Sequence, residues 1–168
     1  MSIEAKLNLN KPDELKDIAF VIDRTNEIES KMKEIFVSYL NIQEPKASVF
    51  LSKILLNNSI ISLGAKFKAY KSLEKINSWP KLKAETFYKI LNLRNSFAHT
   101  PTNQETLVFT LNKDNQHELK ERYIVLESVT GSGRLEERKR SEALKEFKEA
   151  YVEANKHFLK IIELLKSV

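Results

Sequence analysis

The chain has 168 residues, of which 42% are hydrophobic and 30% charged, so it can bury a core and is unlike collagen-like, low-complexity or wholly disordered sequences. It contains no cysteine, which excludes disulfide frameworks, thiolate zinc sites and cysteine nucleophiles. Its apolar runs are short and its first residues lack a signal core, so we expect a single soluble domain over residues 1–168, without membrane spans, in a reducing cytoplasm.

The net charge of +5 is unevenly distributed along the chain. Residues 46–100 contain 10 Lys or Arg against 2 Asp or Glu, whereas residues 1–45 contain 6 against 9 and residues 101–168 contain 12 against 12. A basic excess confined to one segment is typical of a surface that binds a polyanion. A solvated, lysine-rich face is the alternative that charge alone leaves open.

The first hundred residues carry helical signals. Apolar residues at steps of three and four predict a first helix from Pro12 to about Leu40 and a second that begins at Pro45. The same spacing predicts a third helix over Ser62–Ile76 and a fourth over about Lys81–His99. The following Pro101 disfavours a helical conformation at the residue before it, so the fourth helix should end there.

The pattern then changes to that of strands. Thr106–Leu111 and Tyr123–Leu126 are rich in β-branched and aromatic residues, which predicts a two-stranded hairpin at about 106–127. Gly131–Gly133 is typical of a flexible joint, and near-heptad spacing predicts a long last helix over Leu135–Lys166. The predicted fold is therefore mainly α, an antiparallel bundle of about five helices with a short β-hairpin inserted before the long C-terminal helix.

The fourth predicted helix holds an arginine within its apolar face. At about 100° per residue, Arg94 falls in the middle of a continuous apolar arc. The arc consists of Phe87, Ile90, Leu91, Leu93, Phe97 and Ala98. A buried guanidinium without a partner is costly. We therefore expect Arg94 either to pair with an acid such as Glu29 or Glu34, or to line a cleft or a subunit interface.

A polar strip flanks this arc. Asn95 and His99 lie four residues apart and share one side of the helix, with Tyr88 and Asn92 close by. His99 also falls in the last turn before Pro101. A histidine at a helix end without catalytic duty is the alternative that its position leaves open.

The segment Leu93–His99, LRNSFAH, resembles the signature of the HEPN superfamily, which has an arginine, a polar residue and then a histidine. Here Asn95 fills the polar position, and four residues separate Arg94 from His99. The stretch Ser62–Lys66 further resembles the mannitol-repressor-like branch. The resemblance implies a helical bundle, often homodimeric. Many HEPN domains are metal-independent ribonucleases of toxin–antitoxin or phage-defence systems, and others are non-catalytic regulatory or binding modules.

Carried over to this sequence, the resemblance implies a catalytic set of Arg94, Asn95 and His99. His99 would be the acid and base, Arg94 the phosphate clamp, and Asn95 the residue that orients them. Since one chain offers one such histidine, a two-fold dimer would supply the second. The expected partners are RNA, a second copy and an antitoxin or regulatory protein, with no metal or cofactor. The expected RNA-binding residues are Lys66, Lys68, Lys71, Lys75 and Tyr88.

Three other aromatic or imidazole side chains are expected to have structural roles. His117 should be solvated in the hairpin connection, and His157 should lie on the polar flank of the last helix. Neither forms a recognisable metal-binding spacing with His99. Trp79, next to Pro80, should pack under a loop, with base stacking as the alternative.

Overall fold

The computed structural model describes residues 11–99, 105–112, 116–129 and 135–167. These residues are mainly helical, as predicted, with a small antiparallel sheet before the last helix. The helices are α1 (Lys11–Leu40), α2 (Pro45–Val49), α3 (Leu63–Ile76), α4 (Ala84–His99) and α5 (Arg140–Lys166), and a π-helical segment, Phe50–Leu55, continues α2. The strands are β1 (Glu105–Leu111), β2 (His117–Val129) and β3 (Leu135–Lys139).

The helix boundaries follow local sequence signals. The Ser62 hydroxyl caps α3 by accepting a hydrogen bond from the backbone N–H of Ala65 at 3.3 Å, and the Glu44 carboxylate caps α2 in the same way. At the break predicted after Ile76, Ser78 has a φ of 53°, a left-handed conformation that ends the helical path. The first four predicted helices therefore agree with the observed ones to within a few residues.

The sheet has three strands where two were predicted. β2 pairs antiparallel with β1, with Phe109 opposite Leu119, and with β3, with Leu126 opposite Arg138. Leu135–Lys139, expected to begin the last helix, instead forms β3, because pairing with β2 outweighs the helix propensity of Glu, Arg and Lys. The predicted joint at Gly131–Gly133 lies outside the described residues.

The chain divides into two compact units. In the first (residues 11–22 and 92–148), Phe20 packs edge-on against Phe147, with ring centroids 6.3 Å apart, and the sheet residues Val125 and Leu126 are buried. In the second (residues 23–91 and 149–167), an aromatic cluster connects α3, α4 and α5. Its members are Phe67, Tyr70, Phe87 and Phe158. Across the described ranges, no helix has the length and apolar character needed to cross a bilayer.

Candidate functional site

The buried face of α4 differs from the predicted arc. Ala98 is exposed and Leu91 only half-buried, whereas Thr86 and Ser96 are buried on the opposite flank. The Ser96 hydroxyl can be buried because it donates to the Asn92 carbonyl oxygen at 3.0 Å. The buried face is therefore rotated relative to the apolar arc. The remaining buried residues of α4 are Phe87, Ile90, Leu93 and Phe97.

This rotation places Arg94 at the border of the buried face. The side chain is half-buried, and its Nη1 donates a hydrogen bond to Asn95 Oδ1 at 3.2 Å. No carboxylate in the described ranges forms an ion pair with it. Glu29 pairs with lysines instead, and Glu34 pairs with Lys166. The alternative of a core arginine neutralised by one of these acids is therefore wrong.

Asn95 and His99 are exposed on the side of α4 opposite its buried residues. His99 is the last residue of the helix, and its imidazole makes no hydrogen bond or ion pair within the part of the chain that the structure describes. Arg94 and His99 lie about 140° apart around an ideal helix. One chain thus brings the Arg94 guanidinium to the Asn95 side chain, whereas the imidazole of His99 shares the exposed side of α4 with Asn95 and lies away from Arg94.

The last turn of α4 is anchored within the first unit. The Arg140 guanidinium lies over the Phe97 ring, 5.1 Å from its centroid, and its Nε donates to an Asp17 carboxylate oxygen at 3.3 Å. Both Phe97 and Arg140 are buried. Because Phe97 lies between Arg94 and His99 in the sequence, this contact fixes the backbone that carries both candidate side chains.

Three of the five expected RNA-binding residues are exposed. Lys68 and Lys75 are exposed on α3, and Tyr88 is partly exposed on α4. The Tyr88 ring meets the Phe67 and Phe87 rings edge-on, with centroids 5.9 and 6.3 Å apart, so one side of it is packed. These three side chains remain candidates for contact with a nucleic acid.

The other two expected RNA-binding lysines are committed within the second unit. Lys66 is fully buried, and its Nζ donates to Glu29 Oε1 and to Asn58 Oδ1, each at 2.8 Å. Lys71 pairs with Glu74 and donates to the Leu82 carbonyl oxygen at 2.8 Å. Lys66 therefore cannot contact RNA, which corrects the prediction, and Lys71 would have to leave its present partners.

A buried polar cluster on α3 and α5 was not predicted from the sequence. His157 Nε2 lies 2.5 Å from the Tyr70 hydroxyl and 3.3 Å from Glu74 Oε1, and Glu74 Oε1 also accepts from the backbone N–H of Leu82 at 3.0 Å. Tyr70 and Glu74 are buried, and the His157 side chain is nearly so. The expected surface position of His157 is therefore wrong. Tyr70 and Glu74, four residues apart on α3, were the available signal.

His157 gives the stability of the fold a pH dependence. Burial lowers the pKa of this imidazole below 6.5, Glu74 opposes that shift, and Lys71 and Lys160 add to it. The free energy of unfolding should therefore be highest above about pH 6.5 and should decrease as the pH falls through the pKa of His157 in the folded state, by at most about 1.4 kcal/mol per pH unit. Urea unfolding at about pH 7, 6 and 5 measures this decrease.

His157→Gln should flatten the decrease, and His117→Gln, at an exposed position, should leave it unchanged. Carboxylates act in a lower range, since hydrogen bonds from Lys31, Tyr151 and Arg24 lower the pKa of Glu27 to about 2. Equal pH dependence in wild type and His157→Gln would show that His157 does not cause the decrease.

Comparison with protein-family models, with curated proteins and with solved structures gives no match. The HEPN resemblance therefore rests on the sequence motifs Leu93–His99 and Ser62–Lys66.

Proposed function

We propose that this protein is a metal-independent endoribonuclease of the HEPN type. The observation that carries the proposal is the state of Arg94, whose guanidinium lies at the edge of the buried face of α4 and hydrogen-bonds to the neutral Asn95 side chain. An arginine that is neutralised by no described carboxylate retains donors for a phosphate, which guanidinium binds in a bidentate manner. The exposed imidazole of His99, on the same helix, supplies a group that can accept and donate a proton.

Arg94 and His99 have the chemical groups that RNA cleavage by attack of the 2′-hydroxyl requires. The ribose 2′-hydroxyl loses a proton to a base and attacks the phosphorus, the new O2′–P bond forms, and the P–O5′ bond breaks. His99 is the proposed base, and Arg94 stabilises the extra charge on the phosphate oxygens. The leaving 5′-oxygen must take up a proton. We propose that His99 of the partner subunit donates this proton, because one chain presents a single histidine on this strip.

The surface charge of residues 46–100 supports an RNA substrate. When buried Lys66 and the paired Lys71 and Glu74 are set aside, eight basic residues remain in this range against one acid, Glu85. All eight are exposed or half-exposed. A polyanion is the ligand that such a segment favours. The eight are Lys46, Lys53, Lys68, Lys75, Lys81, Lys83, Lys89 and Arg94.

The proposal includes the finer features that the sequence predicts. These are an antiparallel helical bundle, a cytoplasmic location and, from the HEPN resemblance, control by an antitoxin or another regulatory protein. The alternative is a non-catalytic regulatory or binding module of the mannitol-repressor-like kind, which can keep much of the α4 motif and acts through protein or nucleic-acid contacts. Any RNA that it binds stays intact.

Incubation of the purified protein with RNA in EDTA tests the proposal. We expect cleavage products that end in a 2′,3′-cyclic phosphate, and we expect Arg94→Ala and His99→Ala each to lower the rate by at least about a hundredfold. His117→Ala, which alters an exposed histidine on β2, should keep the wild-type rate.

Two outcomes would contradict the proposed nuclease activity. One is a wild-type protein that retards RNA on a gel, with a steep loss between about 50 and 200 mM salt, and yet leaves it uncut, which identifies the non-catalytic module. The other is full activity in His99→Ala, which removes the histidine from the chemistry.

A further inference from the structure

The outer edge of β1 has no neighbouring strand among the described residues. The strand order is β1-β2-β3, so β1 and β3 form the two edges of the sheet. Residues 106–111, TLVFTL, carry no charge and no proline, although 30% of the whole chain is charged. An edge of this kind presents backbone N–H and C=O groups that can pair with another strand.

The opposite edge of the same sheet is protected. β3 has the sequence LEERK, and four of its five residues are charged. Charged side chains on an edge strand discourage pairing with a further chain. β3 pairs only with Val125–Val129 of β2, so β2 residues 117–124, which pair with β1, have no described strand on their other side, and that stretch (HELKERYI) carries four charged residues. Among the described edges, β1 is therefore the one with the fewest charges and the best suited to strand addition.

The exposed face of β1 is apolar as well. Leu107, Phe109 and Leu111 alternate along the strand and are 48%, 52% and 61% exposed, and Leu119, opposite Phe109 on β2, is 49% exposed. A continuous row of exposed apolar side chains of this kind marks an interaction surface. The edge and the face thus point to one contact area.

We propose that β1 pairs antiparallel with β1 of a second copy of this chain, around a two-fold axis at Val108. In this register Thr106 lies opposite Thr110 of the partner subunit, and Leu107 lies opposite Phe109 of the partner subunit. Hydroxyl then meets hydroxyl and apolar meets apolar, pairings that stabilise antiparallel sheets. The two sheets become one six-stranded sheet, with about six to eight new backbone hydrogen bonds.

The charge pattern supports a second copy as the occupant. Glu105, the one charged residue of β1, falls opposite Leu111 of the partner subunit and not opposite its own copy. It is already paired with Arg122 on β2. The strand therefore complements itself without juxtaposed like charges. This inference uses neither Arg94 nor His99 and does not depend on the proposed nuclease.

A charge-swap experiment tests both the interface and its register. Leu107→Glu with Phe109→Glu places like charges opposite each other twice across the axis, whereas Leu107→Glu with Phe109→Lys places opposite charges there. Both double variants lose the same two apolar side chains. By light scattering, the wild type should have twice the 19.5 kDa chain mass. The like-charge variant should bind its copy at least about tenfold more weakly than the opposite-charge variant.

Leu135→Lys on β3 is the matched control, because it changes an exposed leucine on the other edge and should leave the dimer intact. Circular dichroism of all variants shows whether the sheet and helices are retained. Equal self-association of the two double variants overturns the proposal. So does a monomeric wild type at about 100 μM, which would leave this edge to a different partner.

Discussion

Glu29→Ala should destabilise the protein by about 3–5 kcal/mol, because it leaves the buried Lys66 ammonium without its counter-ion. Lys66 is 0% exposed, and its Nζ is held by Glu29 Oε1 and Asn58 Oδ1 at 2.8 Å each. The amide oxygen of Asn58 cannot balance the charge. An ammonium group that is buried without a counter-ion is costly, so the folded state loses stability.

Two comparisons isolate this effect in urea or guanidinium unfolding. Glu34→Ala removes an acid of the same helix that pairs with Lys166 at 3.6 Å on the surface, and it should cost about 0–1 kcal/mol. The double variant Glu29→Met with Lys66→Met removes both charges and should be much closer to wild type than Glu29→Ala. If Glu29→Ala cost no more than Glu34→Ala, the buried pair would contribute little to stability.

This ion pair illustrates which parts of the fold could be predicted from the sequence. The bounds of α3 were predictable because capping by Ser62 and the apolar spacing are local signals. The burial of Lys66 was not assigned, because lysine is usually exposed and its acid lies 37 positions away on α1. Its position one residue before buried Phe67 and four before buried Tyr70 was the signal in the spacing.

The candidate site shows the same limit on α4. The apolar arc identified Arg94 as unusual, but it placed the arginine at the centre of the buried face. The arc contains apolar residues alone, but the small hydroxyl residues Thr86 and Ser96 are buried as well, and the Ser96 hydroxyl donates to the Asn92 carbonyl oxygen. The sequence thus identified the residues of the strip, and their true orientation required the packing of the helix.

The third strand had no local signal. Leu135–Lys139 has the composition of a helix, and its strand conformation depends on hydrogen bonds to Val125–Val129 of β2. Such pairing is non-local and depends on the register that the neighbouring chain offers. The exposed apolar side of β1, in contrast, follows from simple alternation along the strand once the strand is known.

Phe67→Ala should cost about 3–5 kcal/mol, because it opens a cavity where α3 packs against α4. Phe67 is 1% exposed, and its ring stacks on Phe87 with centroids 3.8 Å apart and an interplanar angle of 4°. Tyr70 packs near the same ring, with a centroid distance of 6.4 Å. Neighbouring side chains that are held from several sides cannot move into the space that the ring leaves. The loss of stability should therefore lie near the upper end of the range for Phe→Ala substitutions.

Phe50→Ala is the matched control in the same unit, since this phenylalanine is 53% exposed and its removal creates no closed cavity. Its cost in chemical denaturation should be below about 1 kcal/mol. Phe67→Leu, which keeps most of the apolar volume, should fall between the two. A cost for Phe67→Ala no larger than that for Phe50→Ala would mean that the stacked pair does not hold α4 in place. Because α4 also carries Arg94 and His99, a nuclease that resides there should lose activity at a lower temperature in Phe67→Ala than in Phe50→Ala.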